Sequence, residues 1–216
     1  MEQYTAMRSV LISRPEHDVI TKYFHAWSED VLADAKTRGA VYDLTADKAT
    51  RKNFESYVKG KNPSFLFING HGDAERIAGY ENEILIDSKS NLPETVLYAR
   101  SCDAAQILGP LLVSKGVQAF IGYKRKFICG YSPDKVWRPL EDPIAKLFLE
   151  PSNLVASTLI KGHSTQEAHR RSKDAMIKNF RKMISSTASY EERYAARWLW
   201  SNINCQVLLG DVSATI

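Results

Sequence analysis

The sequence predicts an α/β domain built on a mainly parallel sheet of about six strands with helices on both faces. Three observations predict it. Short apolar runs alternate with helical patterns along the chain. Two of the runs, SFLFIN (64–69) and TVLYARS (95–101), are continuously apolar, as strands covered on both faces are. The third is bulk composition: 216 residues at 44% hydrophobic and 25% charged match a globular chain able to bury one sheet-and-helix core.

The elements follow in order. SVLIS (9–13) reads as a strand ended by Arg14-Pro15. From Glu16 to about Arg38, apolar residues recur at helical spacing, and Gly39 supplies the stop. AVYDLT (40–45) is a second strand, and Thr50 to Lys59 a short helix closed by Gly60. SFLFIN runs into the turn sequence Gly70-His71-Gly72-Asp73. ENEILID (81–87) is a hairpin strand outside the main sheet, and TVLYARS delivers Cys102. A helix over Ala104 to Lys115 and a strand over VQAFIGY (117–123) come next. An irregular segment from Lys124 to about Pro139 precedes helical patterns at 143–149, 164–185 and 189–202. The strand QVLLGD (206–211) closes the chain. No repeat or linker divides it, so 1–216 reads as one domain.

Composition limits the function classes. A net charge of +4, from 29 basic and 25 acidic side chains, gives no specific nucleic-acid signal. No apolar stretch is long enough for a bilayer, and the N-terminus does not read as a signal peptide. Three widely spaced cysteines show no zinc-site spacing; free thiols and a reducing, cytoplasmic compartment are expected.

In an open parallel sheet the ligand site lies beyond the carboxyl ends of the strands. Two strand ends carry chemistry there: His71 after the third strand and Cys102 after the fourth. A thiol beside an imidazole is a nucleophile–base arrangement. The backbone N–H groups of Gly72 and Cys102 could supply an oxyanion hole. Each residue alone has an ordinary reading, a buried cysteine or a turn histidine.

The pair FLFINGHGD and VLYARSCDAA resembles the signature of the caspase–gingipain–clostripain–separase clan of cysteine peptidases, which includes bacterial CHAT-domain peptidases. LLVSKGVQAFIGY, LIKGHSTQEAHRRSKDAM and QVLLGDVSATI are similar to later elements of the gingipain-like branch, so the resemblance spans roughly residues 60–216. It implies a caspase-like three-layer sandwich and a cysteine endopeptidase; an intracellular enzyme is expected to be kept latent until a signal orders its loops, since a free peptidase in the cytoplasm is hazardous. Cys102 would be the nucleophile, His71 the proton donor to the leaving amine, and Gly72 and Cys102 the oxyanion donors. No cofactor would be needed; a polypeptide substrate and a regulatory protein or activating ligand are the expected partners. ARSCDAA lacks the Gln-Ala-Cys signature of true caspases. An inactive caspase-like module serving as a binding or scaffold partner is the second reading.

Arg100 stands two residues before Cys102, where arginine- or lysine-specific members of the clan often carry an aspartate. A guanidinium there is expected to select Asp or Glu, unless it pairs internally with Asp103 or Asp73. Asp103, Tyr131 and Trp137 are the other residues expected to contact substrate, the last two from the irregular segment. Cys129 and Cys205 are read as unreactive or core, and His163 and His169 as solvated.

Overall fold

The computed structural model describes residues 9–216; the first eight, part of the stretch read above for targeting, lie outside the described residues. In chain order the strands are β1 (Val10–Arg14), β2 (Val41–Thr45), β3 (Phe65–Asn69), β4 (Ile77–Ala78), β5 (Ile84–Ile86), β6 (Val96–Arg100), β7 (Ala119–Tyr123) and β8 (Gln206–Gly210). Six of them form the main sheet in the order β2-β1-β3-β6-β7-β8, and β4 and β5 form a separate hairpin. The main sheet is parallel except for its last edge, where β8 runs against β7. The expected architecture of a mainly parallel sheet between helices holds.

Every residue of β1, β3, β6 and β7 is buried, which is why their runs are apolar without alternation. Alternate side chains still go to different cores. Val10, Ile12, Phe65, Phe67, Val96 and Tyr98 meet helices α1 (Val19–Trp27), α2 (Glu29–Lys36) and α5 (Pro143–Ile160) on one face. Leu11, Leu66, Ile68, Leu97 and Ala99 meet α3 (Arg51–Lys61), α4 (Leu108–Ser114) and the β4–β5 hairpin on the other. Helices α6 (Thr165–Met183) and α7 (Tyr190–Cys205) pack with α5 around Phe148, Met176 and Leu199. No helix among the described residues is long and apolar enough to cross a membrane.

Three helix boundaries differ from the sequence reading. The helix expected over 16–38 is broken at Ser28, which caps α1 and starts α2. The helix expected from Ala104 begins only at Leu108, because the N–H groups of Ala105 and Leu108 donate outside the segment, to the Tyr123 carbonyl (3.1 Å) and the Ala74 carbonyl (2.8 Å). The first trailing helix continues through Pro151 to Ile160 instead of stopping at 149. Proline removes one N–H and so frees the carbonyl four residues earlier. That carbonyl, on Leu147, accepts from Asn179 Nδ2 at 2.9 Å, so α6 satisfies what α5 lost.

Arg100 ties these elements together. It ends β6, is fully buried, and uses all of its N–H donors. Nε donates to Asn69 Oδ1 (2.7 Å), and one terminal nitrogen to Ser152 Oγ (3.1 Å) and Asn153 Oδ1 (2.8 Å). The other donates to Ser28 Oγ (2.8 Å) and the Phe24 carbonyl (3.4 Å). The rings of Phe24 and Phe67 lie 4.9 and 5.2 Å from the guanidinium carbon. The charge therefore joins β3, β6, both sides of the α1–α2 break, and α5.

Replacing Arg100 with lysine keeps the charge but not the five-donor fork. Several buried acceptors then lose their partner, and the expected destabilisation is about 2 kcal/mol or more. Chemical denaturation of Arg100→Lys checks this; an unchanged midpoint would contradict it.

Candidate active site

The carboxyl ends of three neighbouring strands converge on one place. Asn69 of β3 and Arg100 of β6 are paired in register, and His71 and Cys102 each follow two residues later. The backbones stay in contact past the sheet: Gly70 N–H donates to the Arg100 carbonyl (3.3 Å) and Ser101 Oγ to the His71 carbonyl (2.8 Å). On the far side, the His71 carbonyl also accepts from Ala78 N–H (2.9 Å), so the β4–β5 hairpin straps the histidine turn.

Glycine is required in that turn. A Cβ at Gly72 would lie 2.2 Å from Ser101 Oγ and 3.4 Å from the Cys102 carbonyl oxygen. A Cβ at Gly70 would lie 2.0 Å from the Ala78 carbonyl oxygen. Gly72 bridges Ile77 through its neighbours' hydrogen bonds, and neither its own N–H nor that of Cys102 donates to a described residue. Both expected oxyanion donors are thus unspent.

The third strand, β1, contributes a residue that sequence reasoning missed. Asp18 follows the end of β1 and caps α1, accepting from Thr21 N–H at 2.8 Å. Its Oδ2 contacts His71 Nε2 at 2.5 Å. Partial burial opposes ionisation of Asp18, but the hydrogen bonds from Thr21 N–H and His71 outweigh it and hold the carboxyl below its ordinary range. A carboxylate on Nε2 selects the tautomer with the proton there and leaves Nδ1 as the acceptor. The signal available in the sequence was its position: Glu16-His17-Asp18 leaves β1 at the same sheet edge as the other two residues. Beside it, the His17 ring packs edge-on against His71 (5.9 Å between centroids) and Tyr80 (5.6 Å).

Cys102 is half-buried, and its thiol lies 3.8 Å from the Phe127 carbonyl. Burial pushes the thiol up, and Asp103 adds to this; a backbone hydrogen bond from Phe127 and the charge of Lys126 pull the other way without cancelling it. Asp103 follows in its left-handed conformation, donating its N–H to the Arg125 carbonyl (3.2 Å) and accepting from Gln106 Nε2 (2.8 Å). A non-glycine residue in that region is uncommon and strained, and such strain clusters at functional sites.

Arg100 needs a correction. It does not line a specificity pocket, because it has no exposed surface and every N–H is engaged by a protein acceptor. Nor does it pair with Asp73 or Asp103, since Asp73 holds Arg76 (2.6 Å) and Asp103 holds Gln106. Acidic specificity therefore loses the residue that suggested it.

The irregular segment divides. Tyr131 packs on Tyr23 (5.4 Å) and lines a cavity of about 720 Å³ with Cys129, Asp134, Tyr190, Tyr194 and Trp198. Trp137 is 84% exposed, with Lys22 over its ring at 4.5 Å, and does not line that cavity. Cys129 and Cys205 are buried, and burial pushes both thiols up, as expected of unreactive residues. His163 is exposed, but His169 is a correction: it is partly buried and bonded to the Gln206 carbonyl (3.3 Å).

No family model matches the chain, and no curated protein is significantly similar to it.

Two expectations follow. The raised thiol should make Cys102 alkylation by iodoacetamide slower at pH 7 than that of free cysteine. Its rate should climb about tenfold per pH unit without a plateau at 8.5, the value near which free cysteine titrates. Because the folded-state Asp18 value is depressed, its stabilising contribution is present above about pH 4 and lost as pH falls through that depressed value. Unfolding midpoints of Asp18→Asn should accordingly show a shallower acid limb than those of the parent chain.

Proposed function

We propose that the chain is a cysteine endopeptidase of the caspase-like type, with Cys102 as nucleophile and His71 as its proton carrier. One observation carries the reading above all: His71 and Cys102 leave adjacent parallel strands two residues past a registered pair, with their turns in backbone contact. The fold class supports it, since an α/β sheet collects such residues at its carboxyl edge.

The chemistry proceeds through protein groups. Substrate displaces the thiol from the Phe127 carbonyl, and His71 Nδ1 takes its proton. The thiolate adds to the scissile carbonyl carbon, and the oxygen gains negative charge between the N–H groups of Gly72 and Cys102. The carbon–nitrogen bond breaks as His71 returns the proton to the amine. A thioester forms, and water activated by His71 hydrolyses it. Asp18 orients the imidazole and stabilises its charged form, as the third member of such triads does. A protonated resting thiol held by the 124–139 segment is compatible with latency, because rearranging that segment would release it.

A thiol-reactive peptide electrophile tests the proposal. The parent chain is expected to be labelled once, at Cys102, and Cys102→Ala to lose all labelling. His71→Ala should slow it by about 10² to 10⁴, the usual worth of a positioned acid–base group, while Cys129→Ala leaves it unchanged. Failure to label Cys102 in a folded chain, across peptides of varied sequence, overturns the peptidase reading and favours a binding module.

A further inference from the structure

Beside the proposed catalytic pair sits a cluster of metal-ligating type. One atom each from His17, Asp18 and His71 lie within 4.8 Å of one another. His71 Nε2 is 2.5 Å and His17 Nε2 3.8 Å from the same carboxylate oxygen, Asp18 Oδ2. Two imidazoles and a carboxylate are the donor set of open zinc sites, in which the fourth position takes water or substrate.

A second observation points to a ligand independently of the cluster. The His17 side chain keeps only 9% exposure, yet neither of its ring nitrogens has a hydrogen-bond partner among the described residues. Buried imidazole nitrogens are ordinarily paired, and an orphaned pair calls for an explanation. The ring is held in place by Tyr80 and His71 and by its own backbone N–H, which donates to Thr21 Oγ1 at 3.0 Å.

We propose that His17, Asp18 and His71 form a binding site for a divalent zinc-like ion. Zinc ligand atoms at the usual bond lengths stand about 3.3 Å apart in a tetrahedron. The Asp18–His71 contact would open by under 1 Å, and the His17–Asp18 gap would close by about half that. The ion takes the place of the proton shared by Asp18 and His71 Nε2, and that proton passes through solvent to Nδ1. His71 Nδ1 then carries a proton and cannot accept one from the thiol. Metal binding is thus a reversible brake on the proposed peptidase. The brake rests on the proposed function; the binding site does not.

The experiment uses the chelator-treated full chain, titrated with Zn²⁺ by calorimetry and with Co²⁺ by visible absorption, without substrate. One ion per chain is expected, and His17→Phe, which keeps a ring of similar size, should lose at least about 10-fold in affinity, the lower bound for disturbing even an outer partner. Thermal unfolding confirms that His17→Phe is folded, and Asp18→Asn provides a second variant expected to lose affinity. Cys102→Ser should bind as the parent does. No stoichiometric binding, equal binding by a folded His17→Phe, or loss in Cys102→Ser with retention in His17→Phe overturns the site. In a second arm, Zn²⁺ should suppress electrophile labelling of Cys102 in the parent but not in His17→Phe. If the parent is never labelled, the peptidase reading fails, while the calorimetric arm still decides the metal site.

Discussion

The geometry of the strand edge depends on one buried cation. Arg100 carries a full charge into a site with no solvent exposure and no carboxylate partner among the described residues. Removing such a charge from water is costly, and neutral acceptors compensate only if they are complete and well placed. Here all five N–H donors are used and two ring faces flank the plane. The same acceptors are structural joints. Ser28 is the break between two helices, Ser152 and Asn153 follow Pro151 in α5, and Asn69 also donates to the Ser13 carbonyl of β1 at 2.9 Å. Three strands are thereby pinned at the edge from which the site residues emerge.

Above this floor, backbone contacts set the site more than side chains do. Glycine is forced at position 72 by the close approach of Ser101 and the Arg76 carbonyl, and in the bridge to Ile77 the hydrogen bonds are made by the flanking residues. Asp103 takes a left-handed conformation directly behind Cys102, and α4 starts only at Leu108. The Cys102 thiol is half-buried, its titration pushed up by that burial, and its sulfur lies against the carbonyl of Phe127. Phe127 is in turn packed on Phe24 and Tyr123, at 5.7 and 4.6 Å. The irregular segment is therefore tied to this turn twice, by the Phe127 carbonyl at the Cys102 sulfur and by the Arg125 carbonyl at Asp103 N–H.

The histidine side is governed by electrostatics. Asp18 serves two masters, capping α1 through Thr21 and holding His71 through the other carboxylate oxygen. A helix cap is rigid, so the carboxylate arrives positioned by the fold instead of by the histidine. His17 is carried along by the same turn, and neither nitrogen of its buried ring has a hydrogen-bond partner among the described residues.

By itself the sequence determined the six strands of the main sheet, their mainly parallel arrangement and the placing of His71 and Cys102 at one edge, but not the short strand β4. Buried parallel strands announce themselves as unbroken apolar runs, and the residue after each run is readable as its carboxyl end. Gly72 was legible as a residue whose bare backbone N–H could face a ligand, whereas the close approach of Ser101 that requires glycine there came from the tertiary structure. Tertiary structure alone decided what surrounds the pair. Asp18 lies 53 residues from His71, and the Ser28 acceptor of Arg100 lies 72 away; no local pattern encodes such partners. Arg100 read as a specificity residue because strand periodicity gives a side chain's face, not its depth. Burial, and the identity of the acceptors waiting there, is settled only when distant helices close over the sheet.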